Sequence, residues 1–239
     1  MKEQGHVIVI FLFCLIVMAL PTQSLLNRAT RHDRVVLQAA KMAVIAWAVA
    51  RYPGREGKQD IRPGEMVVPD KDVPGVLKKA GIQDSNAGIG RLPWQTLGIP
   101  PLLDAHGEHL WYMVSSRFRD NGSDMKALHC NGLDQLRVSA SGYKRPVASK
   151  GIAAVVIAPH RALKGQQRET QTQQKQWYQY IESAHPNAQY RRTDKETYRH
   201  LMQGQVIKNG QVIMNDQLLP IECQILQRAL IKRRENKCE

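Results

Sequence analysis

Residues 4–27 contain no Asp, Glu, Lys or Arg, and within them Val7 to Leu20 is an unbroken apolar run. A stretch of this kind cannot be left in water, so it constrains where the rest of the chain resides. Val7–Leu20 is 14 residues, about 21 Å of helix at 1.5 Å per residue. That length suits the core of a cleaved signal peptide, and Thr22-Gln23-Ser24 offers small residues where a signal peptidase cuts. The uncharged stretch continues to Leu26, however, giving 20 residues from Val7, enough to span a bilayer with little tilt. Pro21 falls inside it, a kink that membrane helices tolerate better than soluble ones. Charge does not settle the side. Lys2 precedes the run and Arg28, Arg31 and Arg34 follow it, which by itself would leave the following domain cytoplasmic.

Beyond the run, RHDRVVLQAAKMAVIAWAVARY (31–52) repeats apolar residues at three and four. Leu37, Ala40, Val44, Trp47 and Ala48 form one stripe, as on a helix packed along a sheet. Pro53-Gly54 ends it. A helix continuous from His6 to Tyr52 would be on the order of 70 Å long. Residues 53–103 are rich in Pro and Gly and read as an irregular connection, with one helical turn at Val76–Ala80. Asp104–Gly107 reads as a turn, and HLWYMVSS (109–116), Leu136–Ala140 and Gly151–Ala158 read as strands, the last apolar enough to be central. Gln166–Gln176 reads as an exposed loop leading to a helix at Trp177–Ser183. Asn209-Gly210 between two apolar segments predicts a tight hairpin over 206–214. A basic amphipathic helix is expected from about Pro220 to Arg234. The fold class expected is α+β: a long helix across a small antiparallel sheet containing strand 151–158 and hairpin 206–214, with a C-terminal helix alongside.

The 239 residues leave room for one globular domain after the N-terminal helix. Mean hydropathy is −0.40, so the part after residue 52 is polar yet carries enough apolar runs to fold. The net charge of +13 favours anionic partners such as nucleic acid or envelope polymers, although no nucleic-acid-binding motif is present. Cys14 lies in the apolar run. Cys130, Cys223 and Cys238 follow; either Cys223–Cys238 or Cys130–Cys223 could bridge in an oxidising compartment. No C-x-x-C, G-x-S-x-G, H-E-x-x-H, Walker or Rossmann pattern occurs, so neither an enzyme nor a cofactor is expected.

Asp70, Asp72 and Asp104 could hold calcium, but they lack EF-hand spacing and suit turns equally well. His106, Glu108 and His109 with His129 and Cys130 have the atoms of a transition-metal site; their spacing on a loop and strand does not set both imidazoles on one face. Trp94, Trp111 and Tyr112 could form a ligand-binding face, although aromatics beside apolar strand residues more often belong to a core. The basic tail Lys232–Lys237 could grip an acidic partner or DNA, although such a cluster is more often the solvated end of a helix whose dipole it complements.

Several strings together resemble the bacterial type IV pilin-like proteins, the minor pilins and pseudopilins. Gly5 before an apolar spike is the generic element. GRLPWQTLGIPPLLDAHGEHLWYMVSSRF (90–118) is the more specific one, with GIAAVVIAP (151–159), Leu163–Gln166 and NDQLLPIECQILQRALIKR (215–233). The resemblance implies a leader at 1–5, a membrane and assembly helix at 6–27 and a periplasmic domain at 28–239, divided into stalk 28–52, connection 53–103 and a sheet with its final strand and helix at 104–239. It further implies that a prepilin peptidase cuts after Gly5 and methylates His6. The chain would sit in the inner membrane and assemble with other pilin-like subunits, in a pilus or secretion pseudopilus, through the helix bearing Val7, Ile8, Ile10, Leu12, Leu15 and Pro21. Three positions depart from the family pattern. Ile10 stands where such proteins usually carry Glu, His6 is an unusual first mature residue, and Val67-Val68 replaces a Leu-Pro-Cys phrase.

Overall fold

The computed structural model describes residues 28–50, 64–70, 88–115, 118, 130, 137–140, 146–148, 151–164, 166, 168 and 200–235. The fold is α+β. A helix over 28–50 (α1) is followed by strands β1 (Ile89–Arg91), β2 (Trp111–Val114), β3 (Arg137–Ala140), β4 (Pro146–Ala148) and β5 (Ile152–Ala158). Strands β6 (His200–Gln203), β7 (Val206–Lys208), β8 (Gln211–Met214) and β9 (Gln217–Glu222) precede a closing helix, α2 (Cys223–Glu235). Among the described residues no helix is long and apolar enough to cross a membrane; Val7–Leu20 lies outside them.

The central layer is a four-stranded antiparallel sheet in the order β1-β2-β5-β9. Every residue of β5 is buried, as its unbroken apolar sequence requires of a strand covered on both sides. Side chains alternate across the sheet. Tyr112, Val114, Ala154, Val156, Ala158 and Ile221 join one core with α1. Trp111, Met113, Val155, Ile157 and Leu218 join another with Val138 of β3 and Leu201 of β6. The register agrees, pairing Tyr112 with Val156 and Trp111 with Ile157.

The stripe expected on α1 is the stripe that packs. Leu37, Ala40, Val44 and Ala48 are buried with Val36 and Ile45, and Trp47 is half-buried against them. Each fully buried Val or Leu contributes roughly 1.5–3 kcal/mol. A disulfide joins Cys130 to Cys223, 93 positions apart in sequence. Of the two pairings left open by spacing, this one rules out a bond from Cys223 to Cys238.

Four expectations are corrected. The hairpin at 206–214 forms, with Asn209 and Gly210 at φ 52° and 73° as a type I′ turn requires. It makes its own two-stranded sheet, however, because β2 and β9 already occupy both edges of β5. Residues 217–222 are strand, and the helix starts at Cys223 instead of Pro220. Pro220 is tolerated because β9 is the edge strand, where a missing N–H breaks no inner ladder. The connection 53–103 is not wholly irregular: β1 lies in it, and Asp70 and Arg91 exchange two backbone hydrogen bonds of 2.9 and 2.8 Å. The second sheet, β4-β3-β6, includes a parallel pair, β3 with β6. The elements expected at Val76–Ala80 and Trp177–Ser183 lie outside the described residues.

Candidate functional site

Three segments distant in sequence meet at the start of α1 in a polar junction. Asp33 is 1% exposed and shares the apolar stripe of Leu37 and Ala40 at helical spacing. A carboxylate there is costly unless it is paired. Its Oδ1 accepts the Ala105 N–H at 2.6 Å, and its Oδ2 lies 3.0 Å from the His160 Nε2. The second contact is an ion-pair approach without the alignment of a hydrogen bond. His32 adds a third tie, its Nε2 standing 3.1 Å from the Leu103 carbonyl.

Asp104 organises the turn beneath. Its carboxylate accepts three backbone N–H groups, from His106 at 2.8 Å, Glu108 at 2.9 Å and His160 at 2.7 Å. The turn closes with Gly107 donating to the Asp104 carbonyl, and Gly107 takes φ 81°, which favours glycine. His160, two residues after β5, sits in the left-handed region at φ 53°, a conformation costing on the order of 1 kcal/mol for a residue with a Cβ. Both of its backbone groups are held: the N–H by Asp104, and the carbonyl by the Arg168 guanidinium at 2.5 Å. Arg168 is buried, also donates to Gln166 Oε1 at 2.7 Å and lies 3.6 Å from Glu108.

The electrostatics follow from burial. The His106 ring stands 5.1 Å from that of His160, and its proton affinity is lowered, first by burial and then by that neighbour. His109 is pushed down to about 4 by burial and by Arg91. Further along α1, Lys41 donates to the Pro220 carbonyl at 2.8 Å, so helix and edge strand are also tied by charge.

Chemically this arrangement is a clamp. Among the described residues no hydroxyl or thiol bonds to His160 as a nucleophile paired with a base would. The Asp104 oxygens are committed to backbone donors. Among the described residues no group of three or more His, Cys, Asp or Glu could hold a metal ion. Asp70 is tied through its backbone to Arg91, and Cys130 is in the disulfide. Trp111 and Tyr112 fall on opposite faces of the sheet and cannot share one ligand surface. Trp94 is half-buried in the turn after β1. Gly5, His6, the assembly positions Val7 to Pro21, Asp72, His129 and Cys238 lie outside the described residues.

Sequence reasoning singled out the Asp104 turn and missed Asp33, His160 and Arg168. One signal was available, an acid at position 33 in line with Leu37, Ala40 and Val44. Nothing in the sequence near His160 or Arg168 marks them, because their partners are set by the meeting of segments. Compared with protein-family models, with curated proteins and with solved structures, the chain matches none.

Proposed function

We propose that the chain is a structural, membrane-anchored minor pilin or pseudopilin. Its fold would be pilin-like, with α1 as the stalk half of a long N-terminal helix whose apolar half docks among similar helices. It is not an enzyme and uses no cofactor. The observation that carries this is the adjacency, in sequence, of α1 and the apolar run. The helix buries Leu37, Ala40, Val44 and Ala48 across the sheet, and two positions before Arg28 ends a 20-residue stretch without charge. Association of such rods draws on close packing of helices in lipid and then in a fibre.

Two further points support it. The strings that resemble minor pilins coincide with the packed layers: 90–118 with β1, the Asp104 turn and β2, 151–159 with β5, and 215–233 with β9 and α2. The Cys130–Cys223 bond suits an oxidising compartment such as the periplasm. A second reading, an exported basic module for DNA or anionic envelope polymer, is favoured by the +13 charge. Its mark would be binding whose log affinity falls steeply with log salt.

The test is to express the full chain with and without a prepilin peptidase and to measure intact mass. Loss of Met1–Gly5 and methylation of His6, only with the peptidase present, is the expected outcome. A peptidase-independent cut near Ser24, or no cut at all, contradicts the proposal.

A further inference from the structure

The polar junction sorts its charges by sign. Its acids turn inward: Asp33 and Asp104 are buried and bonded to backbone or to His160, and Glu108 is held against Arg168. Its exposed charges are cations, with Arg28, Arg31 and Arg34 on α1 and Arg161 and Lys164 on the segment after β5. The Asp33–His160 contact brings those two stretches together. Among the described residues none of the five cations is in an ion pair. The three arginines of α1 are spread over about 9 Å of helix at 1.5 Å per residue, comparable to one Debye length at physiological salt, about 8 Å. The three would therefore be felt together at a charged surface, and the Asp33–His160 contact brings the segment of Arg161 and Lys164 to the same end of α1.

This collar lies where α1 leads back to the apolar run, Leu26 being two positions before Arg28. We infer that the collar, Arg28, Arg31, Arg34, Arg161 and Lys164, binds anionic phospholipid headgroups and holds the α1 end of the domain against the bilayer. The inference rests on the anchored reading above. It adds the surface that meets the lipid and the chemistry that surface selects. Acids turned inward, with outward cations that make no ion pair among the described residues, are the distribution that attracts a negative leaflet.

The experiment uses the full chain reconstituted into vesicles of phosphatidylcholine alone or with phosphatidylglycerol. An environment-sensitive dye is placed on Ala162→Cys, with Cys14 and Cys238 changed to Ser so that it labels one site. Ala162 is exposed and lies between the two cations of its segment. The expected result is a blue shift on the anionic vesicles only, reversed by high salt. Arg161→Gln with Lys164→Gln should weaken it, each lost cation lowering the ratio of apposed to lifted domain roughly fivefold. Both residues are exposed, so folding is not at stake, and an unchanged thermal melt confirms it. The same dye signal on neutral and anionic vesicles, or a shift produced by added DNA and not by phosphatidylglycerol, overturns the inference. Resistance of the chain to extraction from neutral vesicles by high salt reads the anchor separately. A chain that washes off neutral vesicles yet still shows the salt-sensitive shift on anionic ones refutes the anchor and keeps the collar.

Discussion

The two faces of the central sheet are both buried but are built differently. Toward α1, β5 presents Ala154, Val156 and Ala158; toward the second sheet it presents Val155 and Ile157, opposite Trp111, Met113 and Leu218. Small residues let a helix backbone lie close, and α1 answers with Ala40, Val44 and Ala48. Bulky residues fill the wider gap between two sheets. The helix side is a fitted seat for one element, then reinforced at its end by the Asp33 clamp and along its length by Lys41. The other side is an ordinary hydrophobic core held by volume.

Ile157→Ala attacks the volume-filled side and should have the largest effect, a loss of about 2–5 kcal/mol in denaturant unfolding. Hydrogen exchange should then rise in β3 and β6 before α1. Ala154→Leu attacks the seat. Overpacking there should cost about 1–3 kcal/mol, and exchange should rise first in α1, reversing the order. Equal effects of both substitutions on both layers would erase the distinction between the faces.

The shift at His109, two residues before β2, gives a pH test of the segment that leads into the sheet. Its folded value of about 4 lies below the ordinary 6.5, so the unfolded chain takes up the proton first as pH falls. Stability from this group is complete above about 6.5 and is lost progressively toward 4. His109→Gln should flatten that part of the melting-temperature profile relative to the unaltered chain.

The smallest effect is expected at Tyr112. Its hydroxyl is fully buried in the α1-facing core with no hydrogen-bond partner among the described residues, and burial raises its proton affinity far above the phenol range. Tyr112→Phe removes an unsatisfied group and keeps the ring. Unfolding should change by less than about 1 kcal/mol or move toward greater stability. A large loss would mean the hydroxyl has a structural bond.

What was legible in the sequence was whatever is written in local periodicity. The α1 stripe, the apolar β5, the aromatic β2 and the Asn209-Gly210 turn all carry their pattern within a few residues. Strands β1, β4 and β6 are three or four residues long and, unlike the aromatic β2, carry no comparable apolar or aromatic run to mark them; they exist because distant partners pair with them. Local pattern missed strand β9, because Pro220 reads as a helix start unless an edge position is known; only the resemblance over 215–233 implied a final strand before the helix. The clamp is less local still, since Asp33 and Ala105 are separated by 72 positions and Asp104 and His160 by 56. Sequence could suggest that Asp33 was out of place on its stripe, but not what would satisfy it.

The claim on which the functional account turns is that the mature chain keeps Val7–Leu20. Carbonate extraction of cells expressing the full chain, followed by peptide mapping of pellet and supernatant, measures this directly. The expected result is a chain confined to the membrane pellet that yields peptides covering Val7–Leu20. A soluble chain beginning between Ser24 and Arg28 would contradict it.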